Sequence, residues 1–512
     1  MISEMFGHVL RALRLPGRRY EFRCVAPSQI VVDQDVNDPE KGPVVSSPVT
    51  NTYRMVEKPR RMDRWLDKVV ELSGSQIVYF GILAALFAWA FLGIKFGQAQ
   101  TYKIVISDAQ AIINMIFDAF LMRQQLNAYN NHVTIAACLR SRARSQRRML
   151  QLLLDNGQLV PNEAVEVERL DGETFSSDLP KENWLGRIST AISVILGHIV
   201  TVFGFCGCIV IWLAFGPYCH WSNNWQLYIN SATSALMVFM LAFIANIRER
   251  HNKYMNKCLD EIWNIDTALE CRLRAVTGDT IENEPVVIPP PKQTKIQRAI
   301  DYYADLVGTL AGIVILSWVI IVWIAVGPAF HFNSNWWLLI GTYAGLVGLN
   351  DGFVLRNVST NLSDYADLQF HQVAADDLEM FNIVGISNSK EGEDQSNPGI
   401  AYRLSTSVGA VCAHEWMVVS GVILIIGLVI GASAMRWSLT GQLLCNVPPS
   451  IIESFFTMIL LTGHNIDEEK RRKHFAAFYN RRHTLISVLE RVTTTKTIIT
   501  TNVVEEDIKD EE

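Results

Sequence analysis

The sequence predicts an all-α membrane protein, a polytopic helical bundle of four repeated transmembrane hairpins with amphipathic helices on the cytosolic side. Three observations predict this fold class. First, 49% of the 512 residues are apolar and only 19% are charged, which is unusual for a water-soluble chain. Second, eight apolar stretches approach the roughly 20 residues that a helix needs to cross a bilayer. Third, they come in four pairs, with a short turn inside each pair and long polar segments between pairs.

The eight predicted spans define the domain organisation. They lie at 77–94 and 104–122, 194–215 and 226–245, 306–326 and 336–355, and 416–435 and 447–463. We predict four repeat units, at 62–155, 184–274, 295–383 and, for a degenerate fourth unit, 401–492. Between and beyond them lie a cytosolic N-terminal tail at 1–61, linkers at 156–183, 275–294 and 384–400, and an acidic C-terminal tail at 493–512.

The repeat is visible as identical residues at a constant offset. A shift of 111 residues lays the second hairpin on the third without a gap, and a shift of 123 lays the first on the second. The first of these shifts superimposes Trp212, Gly216, His220 and Trp225 on Trp323, Gly327, His331 and Trp336. Such a match predicts four units in one orientation.

Basic residues predict the orientation in the membrane, because Lys and Arg favour the cytosolic side. Only Lys95, Lys103 and Arg436 of the 45 basic residues fall in the short turns. Both termini and the long linkers are therefore expected in the cytosol. The basic N-terminal stretch leaves a mitochondrial presequence open as an alternative, although Glu4 and Glu21 argue against it.

Composition and missing motifs exclude several classes of protein. The scattered cysteines and the net charge of −6 argue against a disulfide framework and against a nucleic-acid partner. The sequence has no GxxxxGK[ST] phosphate loop and no two histidines within five residues of each other. We therefore expect no enzyme and no cofactor, and transport becomes the leading class.

Polar residues inside apolar spans indicate where function lies, because burying them in hydrocarbon is costly. In the first unit Asn114 and Asp118 share one helical face with Ser107 and Gln110, and Asp108 lies near the outer end. Asp351 and Glu453 occupy spans of the third and fourth units. Oxygen ligands of this kind suit Fe²⁺ or Mn²⁺, so the candidate metal ligands are Asp108, Asn114, Asp118, Asp351 and Glu453. The alternative is that Asp118 pairs with Arg123, Arg356 or Arg187 and only fixes helix register.

The outer turns hold two further metal candidates, His220 and His331, at equivalent positions. They would collect cations at an entrance, or they would simply cap turn backbone. The third unit also carries Gly341, Gly345, Gly348 and Gly352, a small-residue stripe that predicts close helix packing.

Residues 224–262 carry a recognisable pattern, namely Trp225, Gln226, Leu227, Ile229, Asn230 and Thr233, then Asn246, then Leu259, Asp260, Glu261 and Ile262. This pattern resembles the signature of the low-affinity iron permease family, and residues 107–127 are similar to the matching segment of its fungal members. The resemblance covers about residues 62–492. It implies low-affinity uptake of ferrous iron at the plasma membrane, with relaxed selectivity towards copper, zinc and manganese. Fe²⁺ would be the transported substrate, and the protein would be embedded in the lipid bilayer.

Two other functions stay open from the sequence. One is a gated cation channel, and the other is a membrane scaffold or receptor that acts through its cytosolic helices. Association into a homo-oligomer is also open.

Overall fold

The computed structural model describes residues 16–157, apart from 30, 33–43, 46–57 and 59, and residues 179–332, 334–386 and 400–509. Residues 1–15 of the stretch considered as a presequence, and most of the linkers 156–183 and 384–400, therefore lie outside the described residues. The described chain is almost entirely helical, as predicted.

Four long helices form the centre of the molecule. They are α3 (Gln100–Asp155), α6 (Asn223–Thr277), α9 (Ser334–Val384) and α13 (Val447–Lys509). Helices α3 and α13 each pack against both α6 and α9, so the four close into a ring. At 1.5 Å per residue these helices are about 75 to 95 Å long, far more than the roughly 30 Å of bilayer hydrocarbon. The predicted separate amphipathic helices are thus wrong as separate elements, because each continues its span without a break.

Each long helix is preceded by a shorter apolar helix on the outside of the ring. These outer helices are α2 (Gln76–Phe96), α5 (Ile199–Ala214), α8 (Leu310–Val326) and α11 (Glu415–Ala434). Helices α2 and α8 have no buried residue at all, as expected of surfaces that face lipid. A leading helix comes before each outer helix, namely α1 (Arg61–Ser73), α4 (Trp184–Leu196), α7 (Lys295–Val307) and α10 (Ile400–Ala413).

The outer helices pack mainly against a long helix of a different unit. Helix α2 lies on α6, α5 on α13, α8 on α3, and α11 on α9. The outer helix of every unit therefore packs on the long helix of the next unit around the ring. This exchange was not predicted, since a uniformly apolar helix carries no pattern that selects one partner face over another.

Three of the four turns between outer and long helices, those of the second, third and fourth units, share one backbone conformation. Two successive residues have positive φ in each of these three turns, at His220 and Trp221, His331 and Phe332, and Arg436 and Trp437, with values from +49° to +53°. In each turn the second residue of the pair donates its backbone N–H to a carbonyl five residues earlier. The first positive-φ residue is His331 in the third unit and Arg436 in the fourth, so the third and fourth units are related by a shift of 105 residues.

Five helices in the described part of the chain are long and apolar enough to cross a membrane. The number is six if α4 and α5, which meet at a bend of 48°, are taken as one span. The protein is thus a polytopic membrane protein by composition and length, and the count of eight stays a prediction.

Two small antiparallel sheets complete the fold. Strand β1 (Phe22–Cys24) pairs with β4 (Val286–Ile288), and β2 (Val31–Val32) pairs with β3 (Val44–Val45). The predicted N-terminal tail and the linker 275–294 therefore form structure together. Cys24 is bonded to Cys138 of α3, a pairing across 114 residues that the cysteine pattern did not reveal. A short helix α12 (Leu439–Leu444) precedes α13.

Candidate functional site

Each long helix contributes one residue to a layer near the outer end of the ring, which we call the outer level. Its members are related by the repeat shifts of 123, 111 and 105 residues, and they are Ser107, Asn230, Gly341 and Asn446. Asn230 donates a hydrogen bond to the hydroxyl of Ser107 over 2.9 Å. A Cβ added to Gly341 would lie 3.4 Å from Oδ1 of Asn446, so these helices approach closely there. Residues of this level line a cavity of about 20 Å³, which has room for about one water molecule.

Asp108 lies beside this outer level and is buried. Neither of its carboxylate oxygens has a hydrogen-bond partner among the residues that the structure describes. Gly341 makes room for it, because an added Cβ would stand 3.1 Å from Oδ1 of Asp108. A buried carboxyl group without a partner is costly, so this position favours a cation or a proton.

Glu453 forms the next level, about two helical turns further along α13. Its carboxylate accepts a hydrogen bond of 3.4 Å from the side-chain amide of Asn114. Gly348 of the neighbouring helix α9 faces it, and a Cβ added there would lie 2.8 Å and 2.9 Å from the two carboxylate oxygens. The glycine stripe, which the sequence suggested only for packing, thus provides the space that this carboxylate occupies.

Asp118 and Asp351 come from two further helices of the ring and lie below Glu453. The charges of Asp118, Asp351 and Glu453 interact with one another, and all three side chains are buried. Tyr303 donates its hydroxyl to Asp351 over 2.6 Å. No Lys, Arg or His of the described chain forms an ion pair with these three residues, so the cluster is acidic and has no basic partner there.

The predicted register pairs of Asp118 are not formed. Arg123 instead forms ion pairs with Asp67, at 2.6 Å, and with Asp63 of helix α1. Arg356 donates to the backbone carbonyl of Gly409. Arg187 has no ion pair with Asp118 within the described ranges. The register alternative is therefore wrong for the first two arginines, because each is occupied by another partner.

His220 and His331 lie on the exposed tips of the outer turns. Their positive φ places them in the left-handed region, where His is among the residues found more often than average. This backbone role explains their presence in the turns. Their role as metal ligands stays a prediction.

The seven candidate residues do not gather into one coordination sphere. In the described part of the chain, no three residues of the types His, Cys, Asp and Glu are placed to hold a metal ion together. The structure therefore brings Asp118, Asp351 and Glu453 into one electrostatic cluster, keeps Asp108 at the outer level, and leaves both histidines at the surface.

An apolar layer closes the ring below the acidic cluster. It consists of Leu121, Ile244, Leu355 and Leu460, which are between 0% and 3% exposed. The four residues are related by the same shifts of 123, 111 and 105 that relate the turns. The internal repeat relates these four positions, but an apolar residue in an apolar span does not stand out from its neighbours, so the layer was not predicted from the sequence.

Two fungal proteins are similar to this chain over most of its length. The low-affinity iron/zinc ion transport protein fet4 of Schizosaccharomyces pombe is 33% identical over 502 residues, which cover 94% of this chain and 86% of that protein. The low-affinity Fe(2+) transport protein of Saccharomyces cerevisiae is 34% identical over 459 residues, covering 84% of this chain and 83% of that protein. The chain belongs to the low-affinity iron permease family. The resemblance predicted from the sequence is thereby confirmed.

The profile of the low-affinity iron permease family matches residues 185–288 and 401–480. These ranges fall on the second and fourth units, so the family match includes the unit with the weakest internal repeat. Of the candidate ligands, Glu453 and His220 lie inside the matched ranges. No solved structure matches the chain.

Proposed function

We propose that this protein carries ferrous iron across the plasma membrane with low affinity, and copper, zinc and manganese as less favoured substrates. The observation that carries the proposal is the buried carboxylate cluster inside a ring of four long helices, in a member of the low-affinity iron permease family. The names of the two fungal relatives, one of which includes zinc, support the choice of divalent metals.

The proposed path runs along the axis of the ring. A cation would enter between the outer turns near His220 and His331, pass Asp108 and Asn114, and reach the cluster of Asp118, Asp351 and Glu453. Carboxylate and amide oxygens suit Fe²⁺ and Mn²⁺. Because few protein ligands converge on one point, the ion would keep part of its water shell, and weak binding follows.

The proposed topology has eight spans in four units, with both termini in the cytosol. Three basic residues in the short turns, against 42 elsewhere in the sequence, support this orientation. The shared turn conformation of the second, third and fourth units supports the repeat. Helices α3 and α9 would each contribute a span that is more polar than the rest because it faces the axis.

A gated cation channel is the second candidate function. The apolar layer favours it, since hydrophobic constrictions close channels by excluding water. Uptake that saturates with metal concentration would support a carrier, and uptake that rises linearly would support a channel.

The test is uptake of labelled ferrous iron by cells that lack other iron systems, with Zn²⁺, Cu²⁺ and Mn²⁺ as competitors. Asp118→Asn keeps the size of the side chain but deletes its charge. We expect at least about a tenfold loss of uptake, which corresponds to about 1.4 kcal/mol. The variant should reach the membrane and unfold no more easily than the parent, because one repulsive charge is gone. Unchanged uptake with unchanged apparent affinity would contradict a ligand role for Asp118.

A further inference from the structure

A second and basic cavity lies beyond the apolar layer, on the side away from the outer turns. All four long helices contribute to its wall, and its volume is about 30 Å³, space for about two water-sized groups. The lining residues that matter here are Gln124, Tyr129, His132, Arg248, His464 and Arg471. No carboxylate of the described chain lines this cavity.

Arg248 is the central feature of this cavity. Its side chain is 4% exposed, and its Nε and Nη1 atoms are buried without a hydrogen-bond partner. It forms no ion pair with any residue that the structure describes. A buried guanidinium group stays charged, and leaving such a charge uncompensated costs several kcal/mol. Binding of a negatively charged partner at Arg248 would therefore be favourable.

Other hydrogen-bond donors converge on the same space. The side-chain amide of Gln124 and the hydroxyl of Tyr129 are both buried and have no partner among the described residues. Arg471 of α13 reaches the cavity as well, with its Nη1 atom 3.4 Å from Nε2 of His132. Donors from three helices thus converge on one cavity.

The nearby carboxylates do not neutralise this cavity. Asp467 is the acidic residue whose charge acts on Arg248, yet the two form no ion pair within 4.0 Å. Asp364 and Asp367 interact with Asp467 and lie outside the wall. The charges of Glu468 and Asp367 also act on Arg471, but neither residue lines the cavity, and no ion pair joins a described carboxylate to Arg248 or Arg471.

We propose that this cavity binds a small inorganic oxyanion with the chemistry of phosphate. A planar guanidinium fork matches two oxygens of such an ion, and the amide and the phenol can donate to the others. The volume fits a free tetrahedral oxyanion and excludes a nucleotide. The inference does not depend on iron transport, since the metal candidates lie on the other side of the apolar layer.

The test measures thermal unfolding of the purified full-length protein in detergent, without iron, as inorganic phosphate is added at constant ionic strength. A ligand that binds only the folded state raises the unfolding temperature in a saturable way. Arg248→Gln should bind phosphate about 10- to 100-fold more weakly, since it removes charged hydrogen bonds. Chloride in place of phosphate should give no saturable shift.

Three further arms keep the outcome decisive. Arg250→Gln removes the same charge two residues away, where Arg250 donates to Ser189, and should keep the parent's response. Asp467→Asn removes the carboxylate that competes for Arg248 and should strengthen phosphate binding, which loss of folding could not mimic. Glycerol phosphate, a soluble mimic of a lipid headgroup, should be too large to act.

Failure has distinct signatures. Absence of a saturable phosphate shift in the parent, or a full shift in Arg248→Gln, overturns the proposal. An equal shift with glycerol phosphate would show a site open to lipid headgroups instead of an enclosed one for a free anion. Because no step uses iron, loss of this response leaves the transport proposal untouched.

Discussion

One missing side chain, that of Gly348, determines where the carboxylate of Glu453 can lie. A methyl group at this position would stand closer than 3.0 Å to both oxygens of that carboxylate. The same holds less severely for Gly341 and Asp108. In this bundle, glycines on helix α9 leave the space that acidic side chains of the other helices occupy.

Gly348→Ala is therefore expected to displace the Glu453 carboxylate and to reduce ferrous uptake by at least about tenfold, or about 1.4 kcal/mol. It should not weaken the helix itself, because Ala favours helix by about 1 kcal/mol over Gly. The measurement is uptake per molecule delivered to the membrane. Gly204→Ala is the matched control, since nothing lies within 4 Å of a Cβ added on that lipid-facing helix. Equal uptake by the two variants would mean that Glu453 does not need its present position.

The polar part of the site could be predicted from sequence and its partners could not. Asp118 and Asn114 stood out because a polar residue in an apolar span is conspicuous whatever surrounds it. Glycines facing those residues give no such signal, since a small-residue stripe is equally typical of plain helix packing. The pairing of Arg123 with Asp67 was missed because the two are 56 residues apart and belong to different helices.

At the scale of elements, the helices were predictable but their lengths were underestimated. Residues 223–277 contain no Gly and no Pro, and helix α6 ends where Gly278 adopts a φ of +67°. That absence of helix breakers was the available signal for a continuous helix of 55 residues. The partner of each outer helix was not predictable, because a helix that is apolar all round offers several equivalent faces.

The leading helix α1 is tied to the ring by a polar contact whose strength depends on pH. Burial alone would raise the pKa of Asp67, but hydrogen bonds from Lys58, Arg123 and Asn127 outweigh burial and lower it. Arg123 in turn donates to the carbonyl of Gly308, just before α8. The stabilisation is therefore present above the ordinary pKa of Asp, about 4, and is lost as pH falls through the lowered value.

Asp67→Asn should lower the free energy of unfolding by about 1 to 3 kcal/mol near pH 7, because it leaves the buried Arg123 with only its longer ion pair to Asp63, at 3.5 Å. The difference between variant and parent should shrink steadily below pH 4, where the parent loses the charge as well. Unfolding in detergent at a series of pH values measures this. Lys473 and Glu469 form an exposed ion pair on α13, so Glu469→Gln is a control expected to change stability little. A pH-independent difference would show that shape, and not charge, holds α1 in place.

At the scale of the whole molecule, the four units place equivalent residues around one axis and give each level its own chemistry. The outer level is amide and hydroxyl, the next is acidic, then comes the apolar layer, and beyond it the basic cavity. A divalent cation on this axis meets attraction first and then two successive barriers. The described conformation is thus one in which the proposed path is closed.

The apolar layer gives the last prediction. Leu355 contributes a fully buried side chain to it, and Asn has nearly the same shape as Leu but binds water. Leu355→Asn should hydrate the constriction, raise ferrous entry severalfold and make uptake rise linearly with concentration instead of saturating. Leu368→Asn makes the same change at an exposed position of the same helix and should leave uptake unaltered.

Delivery to the membrane must be measured in both leucine variants, since a polar group in the core costs about 1 to 3 kcal/mol. Four long helices hold the layer together, so we expect this cost to be tolerated. If Leu355→Asn reaches the membrane and takes up iron with the parent's saturation curve, the path does not cross the layer. The carboxylates would then serve a route between the ring and its outer helices, because the axis would be the sealed centre of the bundle.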